Sequence, residues 1–311
     1  MAARPDLAVI VETITVNFNR VRRRNPLIHH ISNWVTLNDC ANAAYAVGAR
    51  PTMAFDPQEA ILATNQADAI VWNLGTFNKT TASAIQSALL SAATRPIPVV
   101  IDPVAAQAYP GRLHFALDCL AQFAVLAEQG KLACTLFIRG NETELTALTQ
   151  SSIIQLGLNP ALSSGGVDHC RKDVSPNMPA PFGLTPFSAK LSSYQLFLAS
   201  FPANMALFLV ETGKRDHVLF LNEGQLDNLT HVQTCPSLAL ITGAGCVSDT
   251  LIAATTGALL SKEPELARRD LAAAAFAAVA GLVRAGQLAN EKAGGIGTFR
   301  SLLFDELSRL G

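Results

Sequence analysis

Apolar residues along the chain gather in short runs, and longer stretches of helical periodicity separate them. Ala69–Asn73, Ile97–Ile101 and Thr135–Ile138 are such runs, and each reads as a strand buried on both faces. Helical segments fill the gaps, at about 79–94 and 112–128. Strand and helix in this alternation predict a parallel sheet with helices on both faces, the α/β class. Farther on, Ala206–Val210 and His217–Leu221 flank the polar stretch Thr212–Asp216, the pattern of a hairpin at a sheet edge. Leu229–Cys235 reads as one more strand, and the last third as helices at about 244–261, 264–290 and 299–310. Ser163–Pro186 holds Gly165-Gly166 and then Pro176, Pro179, Pro181 and Pro186. It reads as a long surface loop within a single domain spanning 1–311. No internal repeat of solenoid length is visible.

Composition narrows the class. Of 311 residues, 50% are hydrophobic and 15% charged, enough to bury a large core and too apolar for a disordered chain. The net charge of −1 argues against a nucleic-acid groove. The one basic run, Arg22-Arg23-Arg24, reads as a solvated helix end. Six cysteines form no CxxC pair and no zinc spacing, which fits a reducing compartment. Asp6 and Glu12 interrupt the apolar N-terminus, so it makes a poor signal peptide. The alanine-rich stretch 270–283 reads as a buried core helix and not a membrane span, and the expected location is the cytoplasm.

Four segments carry candidate chemistry. Thr242-Gly243-Ala244-Gly245-Cys246 precedes the apolar helix Val247–Leu260. Glycines before a long helix let backbone N–H groups converge on an anion, with the helix dipole behind them. Gly243, Ala244, Gly245 and Cys246 are therefore a candidate anion hole, and a glycine-eased helix start with a buried cysteine is the other reading. Arg139-Gly140-Asn141-Glu142-Thr143-Glu144 follows a strand. Asn141 and Glu144 there suit either water-mediated Mg²⁺ binding or a helix capping box. Asp102 ends a buried run before Pro103, as a ligand-facing carboxylate or a turn aspartate. Asn33, Asn38 and Asn42 recur at helical spacing and suggest a polar pocket. His29 and His30 are adjacent on a strand, so they face opposite sides and are not expected to share a metal.

Together and in this order, these segments resemble hydroxyethylthiazole kinase of the ribokinase-like superfamily. The family's opening PLVHNITNYV, closing in LGASPVM, stands here as PLIHHISNWV and VGARPTM within residues 26–53. Its DPVG is DPVA at 102–105, its RGNxSE is RGNETE at 139–144, and its (V/A)TGExD is ETGKRD at 211–216. Its TG(T/A)GC is TGAGC at 242–246, and a GxGSF-like element is GIGTF at 295–299. Most superfamily members carry Asp where this family has Cys, so Cys246 points to the thiazole kinase. The chain departs from the family pattern at His30, Ala105, Gln107 and Lys214.

The resemblance implies a ribokinase-like three-layer sandwich and ATP-dependent phosphorylation of 4-methyl-5-(2-hydroxyethyl)thiazole in thiamine biosynthesis or salvage. It implies that Met53, Gly243 and Asn33 bind the substrate, and that Arg139 and Thr212 bind ATP. Asp102 and Glu144 would organise Mg²⁺, and Cys246 would sit at the base position. A helix N-terminus can lower its pKa for that role, and the other reading is that Cys246 only packs while positioning supplies most of the rate. Asp249, one turn later, reads as a first-turn helix acid, with a substitute carboxylate for the cysteine as the other reading. The family also implies a homotrimer with pockets between subunits, in which Met53 would serve a neighbour's site; no feature of the sequence favours a nucleic-acid or membrane partner. Two alternatives stand beside this. One is a same-fold kinase for a pyridoxal- or hydroxymethylpyrimidine-type alcohol. The other is a nucleotide- or substrate-binding protein that has lost catalysis.

Overall fold

The computed structural model describes residues 7–155, 187–260 and 267–311. Its first half alternates α1 (Leu7–Arg24), β1 (Leu27–Ile31), α2 (Leu37–Val47), β2 (Arg50–Thr52), α3 (Pro57–Gln66) and β3 (Ala69–Asn73). There follow α4 (Lys79–Ala93), β4 (Pro98–Asp102), α5 (Pro110–Glu128), β5 (Thr135–Asn141) and α6 (Glu142–Gln155). The second half holds α7 (Phe187–Ala199), β6 (Leu207–Thr212), β7 (Asp216–Asn222) and β8 (Gln225–His231). It ends with α8 (Ala244–Leu260), α9 (Arg268–Lys292) and α10 (Ile296–Leu307). The expected inserted loop, 163–186, lies outside the described residues.

The strands form one sheet in the order β2-β1-β3-β4-β5-β6-β7-β8. The pairs from β2 to β6 are parallel, and β7 and β8 are antiparallel. This is the expected three-layer α/β architecture. Residue parity decides the two faces. Val71, Val100, Phe137, Phe208 and Val210 point into the core beneath α1, α2, α8, α9 and α10. Ile70, Trp72, Val99, Ile101, Leu136 and Ile138 point into the core beneath α4, α5 and α7. Strands buried on both faces cannot alternate polar with apolar, which is why these runs are continuously hydrophobic.

The same parity separates the two histidines, as expected. His29 meets Thr64 on α3 at 3.0 Å, and His30 meets Thr250 on α8 at 3.1 Å. Although α9 is long and apolar enough to cross a membrane, 78% of its apolar window is buried in the core.

Some local readings are corrected. The last strand is Gln225–His231, not Leu229–Cys235. Glu223 and Gly224 both have positive φ, 50° and 79°, so a two-residue turn feeds β8 directly from β7. Arg22 is not a merely solvated helix end: its guanidinium bonds the Ser308 and Leu310 carbonyls at 2.7 and 2.6 Å. Asn38 and Asn42 bond each other on the exposed side of α2.

Ala105, where the family pattern has glycine, adopts φ 56°. The turn keeps its left-handed form, and the methyl group bears the steric cost. Ala105→Gly is expected to raise unfolding free energy by about 1 kcal/mol, the left-handed penalty less glycine's extra unfolded entropy. Urea denaturation of both proteins measures this.

Candidate active site

Extending the strand parity by one step places the functional side chains. Asn73, Asp102, Arg139 and Thr212 share the parity of Val71, Val100, Phe137 and Val210, so all four emerge on the α8 side at the carboxyl ends of parallel strands. Open α/β sheets bind ligands at that edge. Here α8 closes the arrangement by delivering Cys246 and Asp249 onto the same four residues.

Asn73 is the hub. Its Nδ2 lies 3.0 Å from Asp102 Oδ2, 2.9 Å from Asp249 Oδ2 and 3.3 Å from Cys246 Sγ. Its Oδ1 accepts from Asn33 Nδ2 at 2.9 Å and from the Gly75 N–H at 3.1 Å. Asn33 is buried, and its Oδ1 accepts the N–H groups of Val35 and Thr36, each at 3.1 Å. The turn before α2 is thereby tied to the centre of the site.

Arg139 runs beneath the start of α8. Nη1 donates to Asp102 Oδ2 at 3.0 Å and Nη2 to Thr212 Oγ1 at 2.6 Å, and the Asp249 carboxylate is 3.9 Å from Nε. Burial alone would lower the Arg139 pKa. The charges of Asp102, then Asp249 and Glu144, outweigh it and raise the pKa instead, so the guanidinium is a permanent cation. Burial raises the Asp102 and Asp249 carboxyls, and Arg139 pulls both back. Asp102 is fully buried at the end of β4, so it is not a surface turn aspartate.

The glycine turn provides the opposing surface. Gly243 has φ 92°, and a Cβ there would lie 2.5 Å from Thr36 Cγ2. A Cβ on Gly245 would lie 2.6 Å from Arg139 Nη2 and 2.8 Å from its Cζ. The backbone therefore approaches both side chains as only glycine allows. The first helical hydrogen bond runs from the Val247 N–H to the Gly243 carbonyl at 2.8 Å. The N–H groups of Ala244, Gly245 and Cys246 precede it and have no partner within the helix. Arg139, Thr212, Gly243 and Gly245 line a cavity of about 680 Å³, whose other wall is apolar, with Leu238, Val279 and Val283.

Glu144 forms the capping box with Asn141: its Oε2 accepts the Asn141 N–H at 2.8 Å, and Asn141 Oδ1 accepts the Glu144 N–H at 3.0 Å. Its Oε1 accepts the Ala105 N–H at 2.8 Å, tying α6 to the turn after β4. Each oxygen keeps spare acceptor capacity. Asp102 Oδ1 is buried with no hydrogen-bond partner. An all-oxygen, anionic donor set of this kind fits a hard divalent cation such as Mg²⁺.

Two expectations change. Cys246 does not have a lowered pKa: burial first, then the Asp102 and Asp249 charges, push its thiol up to about 12. Asp249 is not a solvated helix acid but is fully buried in the site. Met53, expected to line a thiazole pocket of its own subunit or of a neighbour, lies partly exposed on the loop after β2, outside the lining of this cavity. Sequence reasoning missed Asn73. Its available signal was the strand end it shares with Asp102, with which it is in register.

Comparison with known proteins bears on this geometry. Residues 18–168 match the model of the hydroxyethylthiazole kinase family. A hydroxyethylthiazole kinase of Clostridium tetani is 31% identical over 294 residues, covering 94% of this chain and 90% of the relative. One from Desulfitobacterium hafniense is 33% identical over 299 residues, covering 96% and 93%. The solved structure of a hydroxyethylthiazole kinase protein from Pyrococcus horikoshii superposes with a TM-score of 0.70 at 24% identity, covering 96% of this chain and 94% of that one. At that identity the likeness speaks for the shared ribokinase-like fold.

Proposed function

The chain belongs to the hydroxyethylthiazole kinase family, and from that premise we propose that it transfers the γ-phosphate of ATP to the hydroxyl of 4-methyl-5-(2-hydroxyethyl)thiazole. The observation that carries the reading is Arg139 laid against the open N-terminus of α8 on the floor of the cavity. The guanidinium and the N–H groups at the start of α8 border the same cavity, where a transferring phosphoryl group needs positive charge. The apolar wall of Leu238, Val279 and Val283 suits a nucleotide base, and Thr212 at the same floor suits its phosphate tail. When bound with the nucleotide, Mg²⁺ would offset phosphate charge, held from the Asp102 and Glu144 side.

The mechanism is in-line attack of the alcohol oxygen on the γ-phosphorus as the bond to the β,γ-bridging oxygen breaks and ADP leaves. Gly243 and Asn33 border the alcohol, and the N–H groups of Ala244, Gly245 and Cys246 face the equatorial phosphoryl oxygens. The transition state is loose, so the alcohol stays close to neutral and its proton passes late, to the transferred phosphoryl group or to water. A strong base is not required, and a thiol held neutral near neutral pH fits that demand. Cys246→Ser is therefore expected to keep at least about a tenth of kcat, with an unchanged pH profile between about pH 6 and 9. A thiolate base would instead reveal itself as a profile altered by the substitution.

The same reading includes a homotrimer in which Met53 completes a neighbour's thiazole pocket. Its support is Met53's place outside the large cavity and the exposure of Trp34 and Val35 nearby, 58% and 65%. Large apolar side chains left in water mark contact surfaces. Light scattering should give three times the 32.9 kDa chain mass.

The reading is tested by incubating the protein with Mg-ATP and the thiazole alcohol, following ADP release and identifying the product by mass. One ADP per phosphorylated thiazole is expected. ATP binding without any phosphorylated thiazole favours another acceptor or a binding protein.

A further inference from the structure

Arg139 and Asp249 each hold one buried polar atom without a hydrogen-bond partner, Nε of the arginine and Oδ1 of the aspartate. These two atoms are 3.9 Å apart. A move of roughly 1 Å would bring them to hydrogen-bond distance. Each is thus the partner the other lacks.

The remaining contacts explain why the gap exists. The terminal nitrogens of Arg139 are held by Asp102 at 3.0 Å and Thr212 at 2.6 Å, and they fix the plane of the guanidinium. Asp249 is fixed separately, through Oδ2, by the Asn73 amide at 2.9 Å. Its Oδ1 is left on the Arg139 side. The arrangement with Nη1 on Asp102 already supplies Arg139 with a carboxylate and leaves Asp249 bonded to Asn73 through Oδ2, with Oδ1 unused. A second fully buried carboxylate is costly to keep unless another arrangement uses it.

That arrangement follows from the geometry of a fork. If Nη1 and Nη2 turn toward an anion in the cavity, they give up Asp102 and Thr212. Nε lies on the stem side and moves little, so only it can keep the side chain anchored. We propose that Asp249 is a positioning residue: its Oδ1 accepts the Arg139 Nε–H when the terminal nitrogens turn onto the phosphates of bound ATP. This rests on Arg139 being a phosphate contact, as read above. The thiazole alcohol takes no part in the contact, so its KM is not expected to change.

The test is a double-mutant cycle on ATP affinity, with calorimetry on the full-length enzyme. D249A should raise the Kd for ATP about tenfold, as loss of an acceptor to a charged donor does. D249N, which retains an acceptor oxygen, should recover most of it. R139K keeps the charge but has no Nε, so adding D249A to R139K should weaken binding less than about twofold further. Full multiplication of the two effects, or an unchanged Kd in D249A, would overturn the proposal. Nitrogen-15 spectra of the unmodified enzyme test it without any Asp249 variant. The Arg139 Nε–H signal, assigned by its loss in R139K, should exchange more slowly once a non-hydrolysable Mg-ATP analogue saturates the site. Unchanged exchange would contradict it. An unmodified enzyme that binds no ATP overturns the nucleotide reading beneath the proposal, whereas ATP binding that D249A leaves intact overturns the proposal alone.

Discussion

Arg139→Ala is expected to lower kcat/KM for ATP by roughly a thousandfold, the range in which a phosphate-facing arginine contributes to phosphoryl transfer. The same change is expected to destabilise the fold. Asp102 and Asp249 are both fully buried, and Arg139 is the cation that faces them, at 3.0 and 3.9 Å. Removing one partner of a buried pair leaves an uncompensated charge, at about 3–5 kcal/mol. Part of that returns if a carboxyl takes up a proton, which burial already favours in both residues. Urea denaturation should therefore show a large loss that shrinks as pH falls. Steady-state kinetics should show that the surviving folded fraction is nearly inactive. If activity and stability both stay near wild type, Arg139 is not the charge centre of this site.

Gly245→Ala is the second large effect, and it acts through Arg139 and not through helix propensity. The added methyl would sit 2.6 Å from Nη2 and 2.8 Å from Cζ of Arg139, well inside contact distance. Gly245 is in the first turn of α8, where alanine is the better helix former by about 1 kcal/mol. The helix itself therefore does not suffer. The guanidinium must move, and its bonds to Asp102 and Thr212 go with it. A fall of about a hundredfold in kcat/KM is expected, from misplacing a transition-state contact by about an ångström. The circular dichroism spectrum should be unchanged. Gly294→Ala is the control, because nothing lies within 4 Å of a Cβ there. It should remain near wild type in the same assay.

How much of this was legible in the sequence depends on range. The strands Ala69–Asn73 and Thr135–Ile138, and the edge hairpin, are local patterns of apolar runs and turn residues, and all three form. The start of α8 at Ala244 was legible because glycines interrupt the pattern there. The turn at Glu223-Gly224 was harder to see, since glutamate rarely adopts positive φ. Asp249 was misread because a carboxylate shortly after a helix start usually faces water. Only the tertiary meeting of α8 with β3, β4 and β5 buries it. Asn73 was missed for a related reason. One amide at the end of an apolar run carries no signal until the register with Asp102 is known. Long-range polar pairs stay invisible in the same way. Lys190 on α7 meets Glu211 on β6 at 2.7 Å, and Tyr194 donates to the same carboxylate at 2.6 Å, on the face of the sheet away from Arg139. Neither contact has a sequence pattern.

The thiol of Cys246 shows the opposite lesson. Its place at a helix N-terminus was legible, and a reactive thiolate and a packed neutral thiol both stood open on that ground. The dipole of one helix end is a modest effect. Burial beside two carboxylates outweighs it.

The most direct test of the central claim is the comparison of kcat/KM among three alcohols, each supplied with saturating Mg-ATP: hydroxyethylthiazole, pyridoxal and hydroxymethylpyrimidine. The account predicts phosphorylation of the thiazole with kcat/KM at least about a hundredfold above either other acceptor, the scale of discrimination a shaped pocket gives. A preference for either of the other two, or no phosphorylated thiazole at all, would contradict it.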